Sequence, residues 1–305
     1  MSADPIHTLA DLEHWSRPGT SLAVLGHPIK HSISPAMHNA VLGELASSES
    51  RFADWRYFRF EVPPEELPRA LDLLHTKRFR GVNLTVPHKV IAFDRVKEVD
   101  TAARPVGAVN TLLWTDSGWR GHNTDGYGLA AAVRENLQLE LRGTPIVLLG
   151  AGGAARGAAV ECLQQGCASL WIANRTRENL DALLATVAPL SRNATVRGFA
   201  PAEVPRELPT GSLVINATSA GLRAADQMPI ELAQLPRPRA VFDMIYNPPQ
   251  TPLLRAAATT GIPAANGLAM LVHQGAKALE IWSGIPATRL APTMSAAAHT
   301  ALATH

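Results

Sequence analysis

Short apolar runs alternate along the chain with stretches in which apolar residues recur every three or four positions, so strands alternate with helices. Ser21–Gly26 (SLAVLG) reads as a buried strand. Met37, Val41, Leu42 and Leu45 then form a stripe at helical spacing, with Pro35 in the first turn and Ser34 as its cap. Tyr57–Val62 is the next strand, PPEELPRALDLLHTK the next helix, starting at Pro63 and Pro64, and FRGVNLTVP a strand that stops at Pro87. Gly107–Trp114, a turn around Asp116 and Gly118, and WRGHNTDGYG complete a first α/β unit, and a helix beginning near Thr124 leads to a second. There, strands are predicted at Ile146, Ser169, Thr195, Leu213, Ala240 and Pro263, with helical patterns between most of them. Helices at Leu268–Trp282 and Thr288–Ala303 end the pattern. Residues 1–19 stand apart as an add-on: Leu9, Leu12, Glu13 and Trp15 fit a short helix and SRPGT a turn, with no readable chemistry.

The sharpest transition lies in PIVLLGAGGAARGAAVECL, Pro145 to Leu163. An apolar strand meets Gly150, Ala151, Gly152, Gly153 and Ala154, then an alanine-rich helix. Gly150 suits a tight turn, Gly152 a close backbone approach to a pyrophosphate, and Ala155 close helix packing. The helix start offers unpaired N–H groups and a positive dipole end to an anion. The strand from Ser169 ends in Asn174, Arg175 and Thr176, roughly two dozen positions beyond Gly150, where the group that selects the adenosine ribose belongs. No carboxylate closes that strand. Arg175, with Thr176 and Arg177, can take a 2′-phosphate through charge-assisted hydrogen bonds, which points to NADP rather than NAD. The plain alternative is a solvated arginine beside a helix cap at Thr176.

Composition narrows the function classes. A chain of 305 residues with 46% hydrophobic and 18% charged residues fits two globular domains, and a formal charge of +2 gives no basic face for nucleic acid or a membrane surface. The N-terminus lacks a basic start followed by an apolar run, so a secretory signal is not expected and the cytoplasm is. Cys162 and Cys167 read as reduced thiols, with no second Cys/His pair at metal spacing, so no metal site is expected.

Polar residues gather where predicted strands end. Ser32 and Ser34, with His27, His31 and His38, crowd the loop after the first strand; the serines either shape the turn and cap the helix or meet a ligand. Asn83, Thr85 and Lys89 surround the carboxyl end of the strand before Pro87, a position where ligands bind in open α/β sheets. Asn216, Thr218 and Ser219 end a later strand, and Asp243, Met244 and Tyr246 another.

Taken together and in order, HPIKHSISPAMHN, NLTVPHK, GAVNT, HNTDGYG, GAGGAARG, NRT, INATSAG, DMIYNP and NGLAMLVHQ resemble the shikimate dehydrogenase family, from about Ser21 to Trp282. The resemblance implies reversible NADP-linked reduction of 3-dehydroshikimate to shikimate on the route to chorismate and the aromatic amino acids. It implies an α/β fold of two domains with the active site in the cleft between them. One is a substrate domain over 1–122 completed by helices in 267–305; the other is a Rossmann-type NADP domain with its linker helix over 123–266. By the family pattern Ser32 and Ser34 meet the substrate carboxylate with Tyr246 nearby. Asn83, Thr85, Lys89, Asn110, Asp125 and Gln274 surround the ring hydroxyls. Gly150 to Ala155 hold the pyrophosphate, Asn174 to Arg177 the 2′-phosphate, and Thr218, Met244 and Gly267 the nicotinamide half. Leu84, Val86, His122 and Gly126 vary the family's apolar and flanking positions without removing a polar role. Partners are then a small-molecule substrate and no macromolecule beyond a second copy, as monomer or homodimer.

The chemistry suits these residues. Oxidising a secondary alcohol needs a hydride acceptor and a group that takes the hydroxyl proton. Lys89 with Asp125 fits that second role. In reduction a protonated lysine donates to the developing alkoxide. The nearest rivals are a quinate/shikimate or aminoshikimate relative, which shares the fold, and a non-catalytic NADP sensor.

Overall fold

The computed structural model describes residues 5–223 and 225–303. The first four positions of the N-terminal add-on and the last two of the C-terminal stretch lie outside the described residues. The chain divides into two compact units, Met1–Thr124 with Val272–His305, and Asp125–Leu271.

The first unit opens with β1 (Ile6–His7), α1 (Leu9–Glu13), β2 (Ser21–Gly26), α2 (Ser34–Ser48), β3 (Arg56–Glu61) and α3 (Leu67–Thr76). It continues with β4 (Gly81–Leu84), α4 (His88–Phe93), β5 (Glu98–Val99), β6 (Thr111–Thr115) and β7 (Gly118–His122). The sheet order is β1-β3-β2-β4-β6-β7-β5. β1, β3, β2 and β4 run parallel, and β6 runs antiparallel to both β4 and β7.

Strand periodicity divides β3 between two faces. Phe58 and Phe60 point to one face, where Trp15 packs edge-on against Phe58 at 4.8 Å and Phe60 meets Phe79. Tyr57, Arg59 and Glu61 occupy the other, where Tyr57 stacks flat on His38 of α2 at 4.1 Å. The add-on therefore has a structural role that periodicity did not show. Its two-residue strand pairs with β3, Thr8 and Asp11 form a capping box on α1, and Leu12 is fully buried. Two residues are too few for a period to register.

One local expectation is corrected at α2. Ser34 is not the cap; Ile33 holds that position without a side-chain cap bond, Ser34 is the first helical residue, and Pro35 follows within the first turn. Burial of Ile29 and Ile33 anchors this turn instead of a capping hydroxyl.

The second unit comprises α5 (Asp125–Leu137), β8 (Pro145–Leu149), α6 (Gly153–Gln164), β9 (Ser169–Ala173), α7 (Arg177–Val187) and β10 (Thr195–Phe199). β11 (Leu213–Asn216), β12 (Ala240–Asp243), α8 (Pro252–Thr259) and β13 (Ala264–Ala265) follow. All its strands are parallel, in the order β10-β9-β8-β11-β12-β13. This is the doubly wound Rossmann arrangement, with its switch point between β8 and β11. Strands buried on both faces read as continuous apolar runs, which is why Ile146–Leu149 and Leu213–Ile215 were legible in the sequence.

α9 (Leu268–Ser283) and α10 (Ala287–Ala303) end the chain. Trp282 of α9 lies over Gly81 and donates its indole N–H to the Leu112 carbonyl at 2.9 Å, while α10 packs on α2. Among the described residues no helix is long and apolar enough to cross a membrane, and no group of His, Cys, Asp or Glu is placed to hold a metal ion.

Candidate active site

In the second unit β8 turns into α6 through Gly150, Ala151 and Gly152. Gly150 has φ +109°, and a Cβ there would stand 3.0 Å from Thr218 Cγ2 and 3.2 Å from the Ala217 carbonyl oxygen. Only glycine lets this turn pass beneath the loop that follows β11. Gly152 is the N-cap of α6 and makes no side-chain cap bond, and open space surrounds the Cβ positions of Gly152 and Gly153. The first-turn amides thus face a volume that an anion can occupy.

That volume is a cavity of about 640 Å³ at the carboxyl ends of β8, β9 and β11. Of the expected cofactor residues, Gly150, Ala151, Gly152, Asn174, Arg175 and Thr218 line it. Gly153 and Ala154 are exposed in the first turn of α6 outside its lining, and Ala155 is fully buried as packing. Thr176 is the N-cap of α7, with its carbonyl accepting from Asn174 Nδ2 at 2.8 Å. Arg177 is not among the residues lining the cavity, and its Nε donates to both Asp181 oxygens at 2.9 Å across one helical turn. No carboxylate closes β9, and Arg175 reaches the cavity from its end. These features fit a dinucleotide with a 2′-phosphate: the α6 amides could hold the pyrophosphate and Arg175 the phosphate.

The opposite wall, Ser219, Ala220 and Asp226 to Pro229, was largely missed because it has no periodicity. Asp226 accepts from the backbone N–H groups of Gly221 and Arg223, both at 3.0 Å, and these bonds hold its carboxyl below the usual range. An acidic residue returning to nearby amides is turn chemistry, the one signal the sequence offered there.

Behind Thr218 lies a buried polar group. Asp243, fully buried at the end of β12, accepts from Thr251 Oγ1 at 2.6 Å, Asn216 Nδ2 at 2.9 Å and the Ile245 N–H at 3.1 Å. Asn216 Oδ1 in turn accepts from the Thr218 hydroxyl at 2.7 Å. Desolvation pushes the Asp243 carboxyl up, opposed by those donors. Met244 is half-buried, and a side chain at Gly267 would collide with its carbonyl, so Gly267 permits a close backbone approach. Tyr246 is half-buried, and burial raises its phenol pKa.

In the first unit Ser32 and Ser34 are half-buried, and Ser32 Oγ accepts from the Ser34 N–H at 3.4 Å. β2 and β4 bring this loop beside the second cluster, since the His27 N–H donates to the Val86 carbonyl at 3.0 Å, next to Thr85. Lys89, half-buried on α4, accepts at its carbonyl from the Val109 N–H at 2.9 Å, beside Asn110. Asn110 is buried: its Oδ1 accepts from the Thr124 N–H at 2.8 Å, and its Nδ2 donates to Thr124 Oγ1 at 3.0 Å and Gln274 Oε1 at 3.5 Å.

Asn83 has another character. Its Oδ1 accepts from the Tyr57 hydroxyl at 2.8 Å, and its Nδ2 donates to the Asn110 carbonyl at 3.1 Å and Thr111 Oγ1 at 3.0 Å. Both amide protons are committed to the protein, so Asn83 supports Asn110 from behind. Asp125 is the first residue of α5 in the second unit.

Residues 24–112 match the family model for the shikimate dehydrogenase substrate binding domain, and residues 267–289 that for the shikimate 5′-dehydrogenase C-terminal domain. The chain is 38% identical over 266 residues to the shikimate dehydrogenase (NADP(+)) of Methanopyrus kandleri, covering 86% of this chain and 90% of that one. It is 39% identical over 296 residues to the protein of the same name from Thermosynechococcus vestitus, covering 93% and 96%. Among solved structures it is similar to the shikimate 5-dehydrogenase of Thermus thermophilus in complex with NADP(H) and shikimate, with a TM-score of 0.79 and 35% identity over 92% of this chain and 99% of that one.

Proposed function

The chain belongs to the shikimate dehydrogenase family, and on that premise we infer that it is an NADP-dependent oxidoreductase interconverting 3-dehydroshikimate and shikimate. The reaction is a step toward chorismate and the aromatic amino acids. The observation that carries this reading is the switch-point cavity, lined by the glycine turn of β8 and by Arg175 with no carboxylate at the end of β9. A small acid and a soluble dinucleotide as partners agree with a cytoplasmic monomer or homodimer.

NADPH supplies the hydride when bound. Lys89 is the proton carrier. In the reducing direction its ammonium donates to the oxygen that becomes the alcohol and stabilises the charge developing there; in the oxidising direction its amine takes the hydroxyl proton. Asp125 accepts from a ring hydroxyl. Ser32 and Ser34 donate to the substrate carboxylate, with Tyr246 contributing. Two neutral hydroxyls hold an anion while permitting quick release. Asn110, Gln274 and Thr85 fix the ring hydroxyls, and Met244 and Gly267 flank the nicotinamide.

The test is an assay of the purified protein by NADPH absorbance, crossing shikimate and quinate with NADP and NAD. Activity confined mainly to shikimate with NADP is expected. Turnover with quinate or NAD at comparable kcat/KM would move the chain to the broader branch of its family. Silence in every combination, with NADP binding retained, would mark a sensor.

A further inference from the structure

The loop that carries Ser32 and Ser34 is a tight turn, closed by the Ser32 N–H donating to the Ile29 carbonyl at 3.0 Å. Two residues of β3, lying two positions apart and therefore on one face of the strand, grip it from opposite ends. Glu61 Oε2 accepts from the Ile29 N–H at 2.7 Å, and Glu61 Oε1 lies 2.7 Å from His27 Nδ1. Arg59 Nη1 donates to the Lys30 carbonyl at 2.9 Å and to the Ser32 carbonyl at 3.4 Å. The carboxylate thus takes the donor end of the turn and the guanidinium its acceptor end. Arg59 is 8% exposed, which places a cation in a poorly solvated position behind two neutral hydroxyls.

A charged residue is seldom buried unless it makes strong hydrogen bonds, and the two N–H groups of Arg59 Nη1 reach two carbonyls at once. Packing alone asks for neither charge, since Phe58 and Phe60 of the same strand already fill the opposite face. We propose that Arg59 and Glu61 are positioning residues for the substrate carboxylate, clamping the Ile29–Ser32 turn so that the hydroxyls of Ser32 and Ser34 converge on one anion. The proposal rests on the reading of those serines given above. It adds that their aim is set by β3, whose third residue on this face, Tyr57, holds Asn83 in the same way.

Steady-state kinetics of Arg59→Met, Arg59→Lys and Glu61→Gln, each alone and combined with Ser32→Ala, test it. For Arg59→Met the shikimate KM rises about 10-fold, the worth of one charge-assisted hydrogen bond, with kcat within about two-fold and the NADP KM unchanged. Arg59→Lys recovers part of the loss. Because Arg59 acts through the serine turn, adding Arg59→Met to Ser32→Ala raises KM by much less than 10-fold. Independent, multiplicative effects in the double variant, or unchanged KM in the Arg59 and Glu61 variants while the serine variants raise it, would overturn the proposal alone. Unchanged KM in both Ser32→Ala and Ser34→Ala would overturn the underlying reading and the proposal with it. If Arg59→Met does not fold, Arg59→Lys and Glu61→Gln carry the same comparison.

Discussion

The turn proposed to receive the cofactor and the turn proposed to receive the substrate carboxylate are built on opposite plans. Gly150 to Gly152 present backbone: amides at the start of α6, a left-handed glycine and no capping side chain. Ile29 to Ser34 present hydroxyls on a turn whose shape is held by Arg59 and Glu61, about 30 residues away in sequence. A backbone site needs only permission to adopt its shape, which glycine gives locally. A side-chain site needs the surrounding fold to aim it, and that information is spread along the chain.

Lys89, the proposed proton carrier, lies outside both turns, so its loss should separate chemistry from either kind of binding. Lys89→Ala should lower kcat by about 10²- to 10⁴-fold, as expected for removal of a general acid/base, with NADPH affinity within about two-fold of wild type in a fluorescence titration. Near-normal turnover would remove Lys89 from its role. Next in size, Gly150→Ala forces a side chain into a left-handed backbone and against the Ala217 carbonyl, a strain that should weaken NADPH by about 10- to 100-fold. Shikimate KM measured at saturating NADP should stay unchanged, and a matching rise would mean that the two turns are not independent. Arg175→Ala should weaken NADP(H) by about 10-fold and leave NAD(H) alone, because only the 2′-phosphate loses a partner. Equal losses for both would show that the cavity does not read that phosphate through Arg175.

The smallest effect is on stability. His38, stacked on Tyr57 and close to Trp282, is fully buried, and desolvation pushes its imidazole pKa down to about 3. Below its ordinary value of about 6.5 the unfolded chain binds a proton that the folded chain refuses. Stability is therefore fully present above pH 6.5 and falls by about 1.4 kcal/mol per pH unit beneath it from this residue. His7, His88 and His122, lowered by burial, add to the loss in the same direction. Glu161 in the second unit is pushed up by desolvation, so its contribution has the opposite sign and declines as pH rises through its folded value. Urea titrations at pH 7.5 and 5.5 should show a lower midpoint in acid, and His38→Phe should flatten that difference. An unchanged slope in the variant would place the acid sensitivity elsewhere.

The contrast between the two turns also explains what was legible. The parallel strands of the second unit and the glycine turn could be read directly, because a buried strand is a continuous apolar run and a phosphate turn is a local string. Arg175 was readable for the same reason, since it follows its strand at a distance set by topology. Arg177 was not separable from it in sequence; only the helical geometry puts Asp181 one turn away, where it pairs with Arg177. The Asp226 wall has no period, and the buried Asp243–Asn216–Thr218 group joins three separate segments.

By itself the sequence determined the alternation of strands and helices, the dinucleotide turn, the absence of a carboxylate after β9, and the resemblance that names the reaction. These depend on residue type and on spacing within a few turns of chain. Tertiary structure alone decided that Ser34 is not a cap, that Asn83 spends both its amide protons inside the protein, and that residues 6–15 complete a sheet edge and cover its face. It also decided that Arg59 and Glu61 reach the serine turn. Each of these depends on which distant backbone group arrives within 3 Å or so of a side chain, and hydrogen bonds are too short-ranged to leave a trace in one-dimensional spacing.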